Sequence, residues 1–422
     1  VASRSLAEWL THLESLHPKN ISLGLERVAQ VKQRLNLNPE FPVIIIGGTN
    51  GKGSVCAMLE AMLHAAGYRV GCYTSPHLLD YNERVRIAKQ QVSDAELCAS
   101  FAAIEQSRAD IALTYFEFGT LAAMQCFIEH KVDVAILEVG LGGRLDAVNV
   151  FDADCALVTN VDIDHTDYLG DTRELIAFEK AGIFHKDRVA IYADNDVPQA
   201  IITQAEKLGV QLWCIGSEFS FVAHQGQWDF RGKKGLRSAL PFPALRGAYQ
   251  LNNANAALAA LDALKEKLPV SMDAVRRGLV EVTLPGRFQI LPGKPSLILD
   301  VAHNPHAARS LAKNLAALPP CGKTYAVLAM LKDKDIHAVV STLRPFVDVW
   351  LVAGLDVPRG VTADELGQVV LEAQFTEVLH YPTVTMALHD AYNQASENDR
   401  ILALGSFYTV AEVMRARSLG SA

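Results

Sequence analysis

The sequence predicts an α/β protein: an N-terminal, P-loop-type, mainly parallel sheet domain with helices on both faces, plus a smaller C-terminal Rossmann-like α/β domain. Three observations carry this. Short apolar runs alternate with longer stretches of helical periodicity, the pattern of parallel strands joined by crossover helices. The chain has 422 residues, more than one ordinary core organises, so two domains are the prior. The alternation is broken at TLPGRF (283–288), where Pro and Gly interrupt any helix, and then begins again. The boundary is placed near Leu284, giving domains 1–284 and 285–422.

Apolar runs at 43–46, 70–73, 132–137, 155–159 and 189–192 read as buried strands. Helical patterns lie between most of them, at 52–66, 118–130 and 172–181. From about 212 to 240 the texture changes: FSFVAHQGQWDFRG mixes aromatic and polar residues about a QG turn, which predicts an antiparallel hairpin insert. Helical patterns return at 250–266 and 271–281. The second series places strands at 296–300, 324–328, 347–352 and 400–404, each followed by a helix. The chain has no internal repeat and no low-complexity tract.

Composition narrows the function classes. Apolar residues make up 50% and charged residues 20%, as in soluble globular proteins. A net charge of −8 without a long basic run argues against nucleic acid as a partner. No apolar stretch reaches the ~20 residues of a membrane span, and the opening VASRSLAEWL lacks the basic and apolar regions of a signal peptide. The seven cysteines are scattered, odd in number and form no CxxC pair, which disfavours a disulfide framework or a zinc site and fits a reducing cytoplasm. A cytoplasmic monomer is expected.

The first site signal is GGTNGKGS, 47–54, between an apolar strand and a helix. Backbone N–H groups at a helix N-terminus carry partial positive charge, glycines let that backbone approach a phosphate, and lysine adds a full charge. The strict pattern GxxxxGK[ST] fails here, because its first glycine would fall on Ile46 and Gly53 follows the lysine. The plain alternative is a tight turn with an incidental lysine. A nucleotide triphosphate held by Thr49, Asn50, Gly51, Lys52, Gly53 and Ser54 fits the turn, lysine and hydroxyl better.

Glu138 closes an apolar strand, at the edge where ligands of open α/β sheets gather. Facing a triphosphate, such a carboxylate is a natural Mg²⁺ ligand; otherwise it is a solvent-facing strand end. The next strand ends in TNVDIDHTDYLG, which sets His165 among Asp162, Asp164 and Asp167. On its own that is a hydrogen-bonded histidine as readily as a metal ligand. Lys180, in FEKAGIF, reads by composition as a solvated helix lysine.

The spelling GTNGKGS resembles the nucleotide loop of the Mur ligase superfamily, and within it the folylpolyglutamate synthase and dihydrofolate synthase branch. The likeness runs from SLGLER to GSFYTV, nearly the whole chain. It implies that His165, in a DHxxxLG segment, and Ser75, in YTSPHL, join Glu138 as magnesium ligands. It implies that Lys180 is carbamylated. A carbamate supplies anionic oxygens where an ammonium would repel Mg²⁺, and its formation requires a depressed amine pKa.

The resemblance also implies dihydropteroate and reduced folates as substrates. They would lie on Ser22, Leu23, Gly24 and Leu25 of ISLGLERV, on Thr114, Tyr115, Phe116 and Glu117 of LTYFEFGT, and on Leu145, Asp146 and Ala147 of GGRLDA. Aromatic rings beside a carboxylate suit a pterin, although YFEFGT alone is equally an amphipathic helix start. ATP is implied at Asn253, Arg287 and Asp300; the family's HQxxN reads YQLNN here, with Tyr249 in place of the histidine. His303, in LDVAHNPHA, is the candidate for positioning or deprotonating the amine of L-glutamate, and GSFYTV borders the glutamate site.

The implied reaction is a ligation through an acyl phosphate, with the second domain closing over ATP to keep water out. The catalytic candidates are thus Lys52, Lys180 and His303. A bifunctional enzyme is expected, and three alternatives remain: a folylpolyglutamate synthase only, which need not retain all of these pterin segments; a cell-wall Mur ligase acting on a UDP-sugar peptide, which would not need YFEFGT or SLGLER; and a slow nucleotide switch, which would not need a second substrate domain.

Overall fold

The structure, a computed structural model, describes residues 4–17, 21–373 and 377–420. The first three residues of the opening VASRSLAEWL lie outside the described residues. The chain divides into two compact units: Val1–Ala244 with Leu251–Val282, and Leu245–Gln250 with Thr283–Ala422.

The first unit is built on eight strands: β1 (Val43–Gly47), β2 (Val70–Tyr73), β3 (Val85–Ile87), β4 (Gln90–Gln91), β5 (Val134–Glu138), β6 (Cys155–Val158), β7 (Val189–Tyr192) and β8 (Gln211–Cys214). Their order is β4-β3-β2-β5-β1-β6-β7-β8. From β2 to β8 every pairing is parallel, and β3 and β4 add an antiparallel edge. Ile44, Ile45 and Ile46 are fully buried, as expected of a parallel strand covered on both faces. The edge pair escaped the sequence reading because VRIAKQQ is short and charged.

Register positions the site. Ile46 pairs with Glu138 on one side of β1, and Gly47 pairs with Val158 on the other. The loops after β1, β5 and β6 therefore leave the sheet side by side at its C-terminal edge, where the strand order reverses. The helix after β1, Lys52–Ala65, is buried along most of its length and packs against Met272–Glu281. An amphipathic helix has a wet face to spare, and this one has little.

The insert differs from the expected hairpin. It is a three-stranded antiparallel sheet of β9 (Ser220–Ala223), β10 (Trp228–Gly232) and β11 (Gly235–Leu240), while Gln211–Cys214 belongs to the large sheet. The QG turn is present: Gly226 has φ +80° and the His224 N–H donates to the Gln227 carbonyl at 2.8 Å. Trp228 and Phe230 alternate inward on β10 and are fully buried. Burying two large rings needs a strand on each side of β10, which explains the third strand.

The second unit carries β12 (Gln289–Leu291), β13 (Ser296–Asp300), β14 (Thr324–Leu328), β15 (Val349–Ala353), β16 (Val378–Tyr381) and β17 (Arg400–Leu404) in the order β12-β13-β17-β14-β15-β16. Only the β12–β13 pair is antiparallel. Helices follow the strands, and Trp350, Leu328 and Leu402 lie in the core beneath them. Among the described residues no helix is long and apolar enough to cross a membrane.

Candidate active site

Glycine decides the shape of the 47–54 loop. Gly51 is the N-cap of the helix Lys52–Ala65 and sits in the left-handed region at φ +85°. A methyl group there would lie 2.7 Å from Asn253 Oδ1, so strain and space both demand glycine. Gly51 has no side chain to cap the helix, and a helix N-terminus built this way favours an anion. The same proximity sets Asn253, expected at the nucleotide, beside this loop although it is about 200 residues distant in sequence.

The loop after β6 clasps the turn. Thr49 N–H donates to the Asn160 carbonyl at 3.0 Å and Asn50 N–H to Asn160 Oδ1 at 3.0 Å. Thr159 Oγ1 and Asn160 Nδ2 both donate to the Asn50 carbonyl. Thr49 Oγ1 exchanges bonds with the backbone of Asp162, at 3.2 and 3.0 Å. Lys52 folds back, its Nζ donating to the carbonyls of Gly48 at 3.0 Å and Thr49 at 3.4 Å. Ser54 is buried behind it. Thr159 and Asn160 were missed by sequence reasoning, because a Thr-Asn pair after a strand carries no signal until its partner loop is known.

Glu138 is buried at the end of β5, and its Oε2 accepts from Ser75 N–H at 3.1 Å. Two of the three expected metal ligands are therefore adjacent. His165 has φ +53°, a left-handed conformation, at the start of the short helix Thr166–Leu169; its N–H donates to Asp164 Oδ1 at 2.8 Å. Strain of that kind collects at functional sites. Among the described residues no three His, Cys, Asp or Glu side chains gather as a metal cluster.

Lys180 is not a solvated helix lysine. It is buried on the inner face of Arg173–Ala181, and its amine is pushed down to about 7, first by burial and then by the Lys52 charge. Asp146, also buried, is pushed up to about 7 by burial, against the pull of three backbone amides: Gly140 at 3.0 Å, Leu141 at 2.9 Å and Val148 at 3.1 Å. Those bonds fold GGRLDA into a tight loop that ends at Ala147.

The three expected substrate segments meet. Gly24 N–H donates to the Leu145 carbonyl at 3.3 Å, joining the 21–25 segment, with Ser22, Leu23 and Leu25, to the Asp146 loop. Glu117 takes part in a capping box with Thr114, accepting its N–H at 2.8 Å. It also meets Arg27, whose Nη2 lies 2.8 Å from Oε1 and whose Nε lies 3.3 Å from Oε2. Arg27 Nη2 reaches the Ser22 carbonyl as well, at 2.7 Å. YFEFGT does start a helix, Tyr115–Glu129, and its first turn packs against the 21–25 segment through Arg27. Phe116 packs on Tyr73, with ring centres 5.8 Å apart. Gly119 is required because a methyl there would meet the Tyr81 hydroxyl at 2.5 Å.

In the second unit, Asp300 is raised to about 6, chiefly by burial, while it accepts from Phe288 N–H at 3.0 Å and Ala302 N–H at 2.8 Å. Arg287 lies over the Phe407 ring at 5.2 Å. His303 Nδ1 is 2.8 Å from the Val301 carbonyl, a contact that makes Nδ1 the donor and Nε2 the basic nitrogen. Tyr249 stacks near His306, ring centres 5.5 Å apart, beneath the Lys313 ammonium at 5.2 Å. In GSFYTV, Ser406 and Thr409 bond to each other at 2.7 Å and fix the start of the helix Phe407–Gly420.

The chain is similar to known proteins over nearly its whole length. Residues 46–261 match the Mur ligase middle domain and residues 286–407 match the Mur ligase, glutamate ligase domain. The dihydrofolate synthase/folylpolyglutamate synthase of Escherichia coli K12 is 46% identical over 414 residues, 98% of this chain and 96% of that protein. The protein of the same name from Haemophilus influenzae is 44% identical, covering 97% of each chain. A solved structure of E. coli FolC in complex with DHPP and ADP superposes with a TM-score of 0.95 at 45% identity, covering 100% of this chain and 99% of that one. A bifunctional folylpolyglutamate synthase/dihydrofolate synthase with Mn, AMPPNP and L-glutamate bound gives a TM-score of 0.92 at 46% identity over 99% of each chain.

Proposed function

The chain belongs to the Mur ligase family, and from that premise we propose that it joins L-glutamate to dihydropteroate, forming dihydrofolate, and to the glutamyl chain of reduced folates, at the expense of ATP. The observation that carries the reading is the uncapped, glycine-turned helix start at Gly51–Lys52, with the pterin-type segments converging on the same sheet edge. The full-length likeness to proteins of both activities supports it.

In this reading a substrate carboxylate oxygen attacks the γ-phosphorus of ATP. The bond from that phosphorus to the bridging oxygen breaks, ADP leaves, and an acyl phosphate remains. The amine of L-glutamate then attacks the acyl carbon, phosphate leaves, and the amine gives up a proton. The loop amides and Lys52 balance charge on the transferring group, from a fixed position that needs little reorganisation. Ser75, Glu138 and His165 would hold Mg²⁺, which supplies further charge neutralisation at the phosphoryl group when bound. Arg287 and Asp300 keep their ATP roles, and His303 Nε2 its role toward the amine, as proposals for the second unit.

Carbamylation of Lys180 belongs to the same proposal. The step joins the neutral amine to CO₂ and releases one proton. Burial, which holds the amine near 7, supports a large neutral fraction at neutral pH. Intact-mass measurement under CO₂-replete, unacidified conditions tests it, and an unmodified mass removes it.

The deciding experiment is product analysis with ATP, L-glutamate and either dihydropteroate or a reduced folate. ADP release that requires both pteroate and glutamate is the expected result. Equal release with neither present indicates a plain ATPase or switch. Thermal stabilisation by UDP-sugars instead of folates would indicate a cell-wall ligase.

A further inference from the structure

Three arginines of the first unit near the candidate site are matched to carboxylates. Arg27 meets Glu117 at 2.8 Å, Arg86 meets Glu60 at 2.9 Å and Arg144 meets Glu179 at 2.8 Å. Arg84 breaks the pattern. It is half-buried, and among the described residues no carboxylate pairs with it. Its Nε donates to His77 Nδ1 at 2.8 Å, and its guanidinium lies 5.3 Å from the Tyr81 ring and 5.5 Å from the Tyr115 ring.

The carboxylates nearest in sequence are committed elsewhere. Glu83 accepts from three successive amides, Leu78 and Leu79 at 2.7 Å and Asp80 at 2.8 Å. Asp80 closes the capping box with Glu83. These bonds set the 77–84 turn so that His77 and two tyrosines hold a cation with its remaining N–H groups unclaimed. Placing a guanidinium there is costly unless something anionic completes it.

The position says what that anion is. The Arg84 carbonyl accepts from Thr74 N–H at 2.9 Å, one residue before Ser75, whose own N–H meets Glu138. Tyr115 belongs to the substrate segment of the helix Tyr115–Glu129. Arg84 thus lies between the phosphate-transfer corner and the pterin-type segments. Dihydropteroate ends in a single carboxylate, the one that is activated. A glutamylated folate ends in two, and the second must be held away from Lys52 and the loop amides, which would bind it in place of phosphate.

We propose that Arg84, oriented by His77 and seated on Tyr81 and Tyr115, binds the non-reacting terminal carboxylate of the folate substrate. This is a specificity-determining contact for chain extension over dihydrofolate formation, and it rests on the function proposed above. A paired guanidinium–carboxylate contact corresponds to about a tenfold effect or more on kcat/KM.

The test measures kcat/KM for dihydropteroate and for a reduced monoglutamyl folate in the wild type, Arg84→Gln and Arg84→Lys. It adds a folate whose non-reacting terminal carboxylate is a carboxamide. In Arg84→Gln the ratio of folate to dihydropteroate kcat/KM is expected to fall about tenfold, with partial recovery in Arg84→Lys. The wild type should disfavour the carboxamide by a similar factor, and Arg84→Gln should not distinguish the two folates. Equal losses on both substrates would reduce Arg84 to a structural role in the 74–84 turn and overturn the proposal. So would an unchanged ratio, or a wild type indifferent to the carboxamide, a result that stands even if Arg84→Gln folds poorly. A wild type that makes neither product refutes the ligase reading itself, a separate outcome.

Discussion

Two strand-to-helix corners in this chain look alike in sequence and differ in physics. In the first unit β1 runs through Gly51 into a helix whose N-cap has no side chain. In the second, β13 runs through Asn304 into Pro305–Ala316, where Asn304 Oδ1 accepts the Ala307 N–H at 2.8 Å and proline stands in the first turn. The second corner caps one of its own amides and removes another. The first has no capping side chain and adds the Lys52 charge. A helix start becomes an anion site when capping is withheld, and glycine withholds it.

The largest expected effect tests that difference directly. Lys52→Ala should lower ligation by about a thousandfold or more, read as pteroate- and glutamate-dependent ADP release, in line with the loss of a charge aimed at a transferring phosphoryl group. Normal turnover would erase the contrast between the corners.

Next is Glu138→Gln, which keeps the size of the buried side chain and its bond from Ser75 N–H but removes the charge. The Mg²⁺ concentration for half-maximal activity should rise by about ten- to a hundredfold. An unchanged metal titration would detach Glu138 from the phosphate corner.

Lys180 gives a pH signature. Its folded pKa of about 7 lies below the ordinary 10.5, so between those values the unfolded chain holds a proton that the folded chain lacks. Stability should therefore climb as pH rises through that window, by up to about 1.4 kcal/mol per pH unit, with the full penalty present below it. Asp146, raised to about 7 from 3.8, contributes the opposite slope, from 3.8 upward to about 7. Burial pushes the thiols of Cys56, Cys72 and Cys155 up, which gives an opposing slope at the alkaline end, so urea unfolding in CO₂-free buffer from pH 7 to 10 is compared between the wild type and Lys180→Met, and the wild-type stability relative to the variant should climb with pH.

The smallest effect is expected at the satisfied corner. Asn304→Ala should cost about 1 kcal/mol of unfolding free energy, the ordinary worth of a cap. Gly51→Ala should cost more, about 1–3 kcal/mol, because the residue would be held at φ +85° and pressed on Asn253. If the two substitutions are equal in stability and in ADP affinity, the comparison fails.

The sequence on its own was enough for the alternation of strand and helix, the anion loop at 47–54 and the family resemblance, since each is a local pattern: hydrophobic period, glycine placement, a lysine at a helix start. Local patterns did not show that Thr159 and Asn160 clasp that loop, that Arg27 holds Glu117 from 90 residues away, or that Lys180 is buried while Arg84 meets no carboxylate among the described residues. They also turned a three-stranded insert into a hairpin. Periodicity reports which face of an element is apolar. Which charges end up desolvated, and which of them find a partner, is decided only when distant segments pack, because burial and pairing are properties of the assembled neighbourhood and not of any stretch of chain.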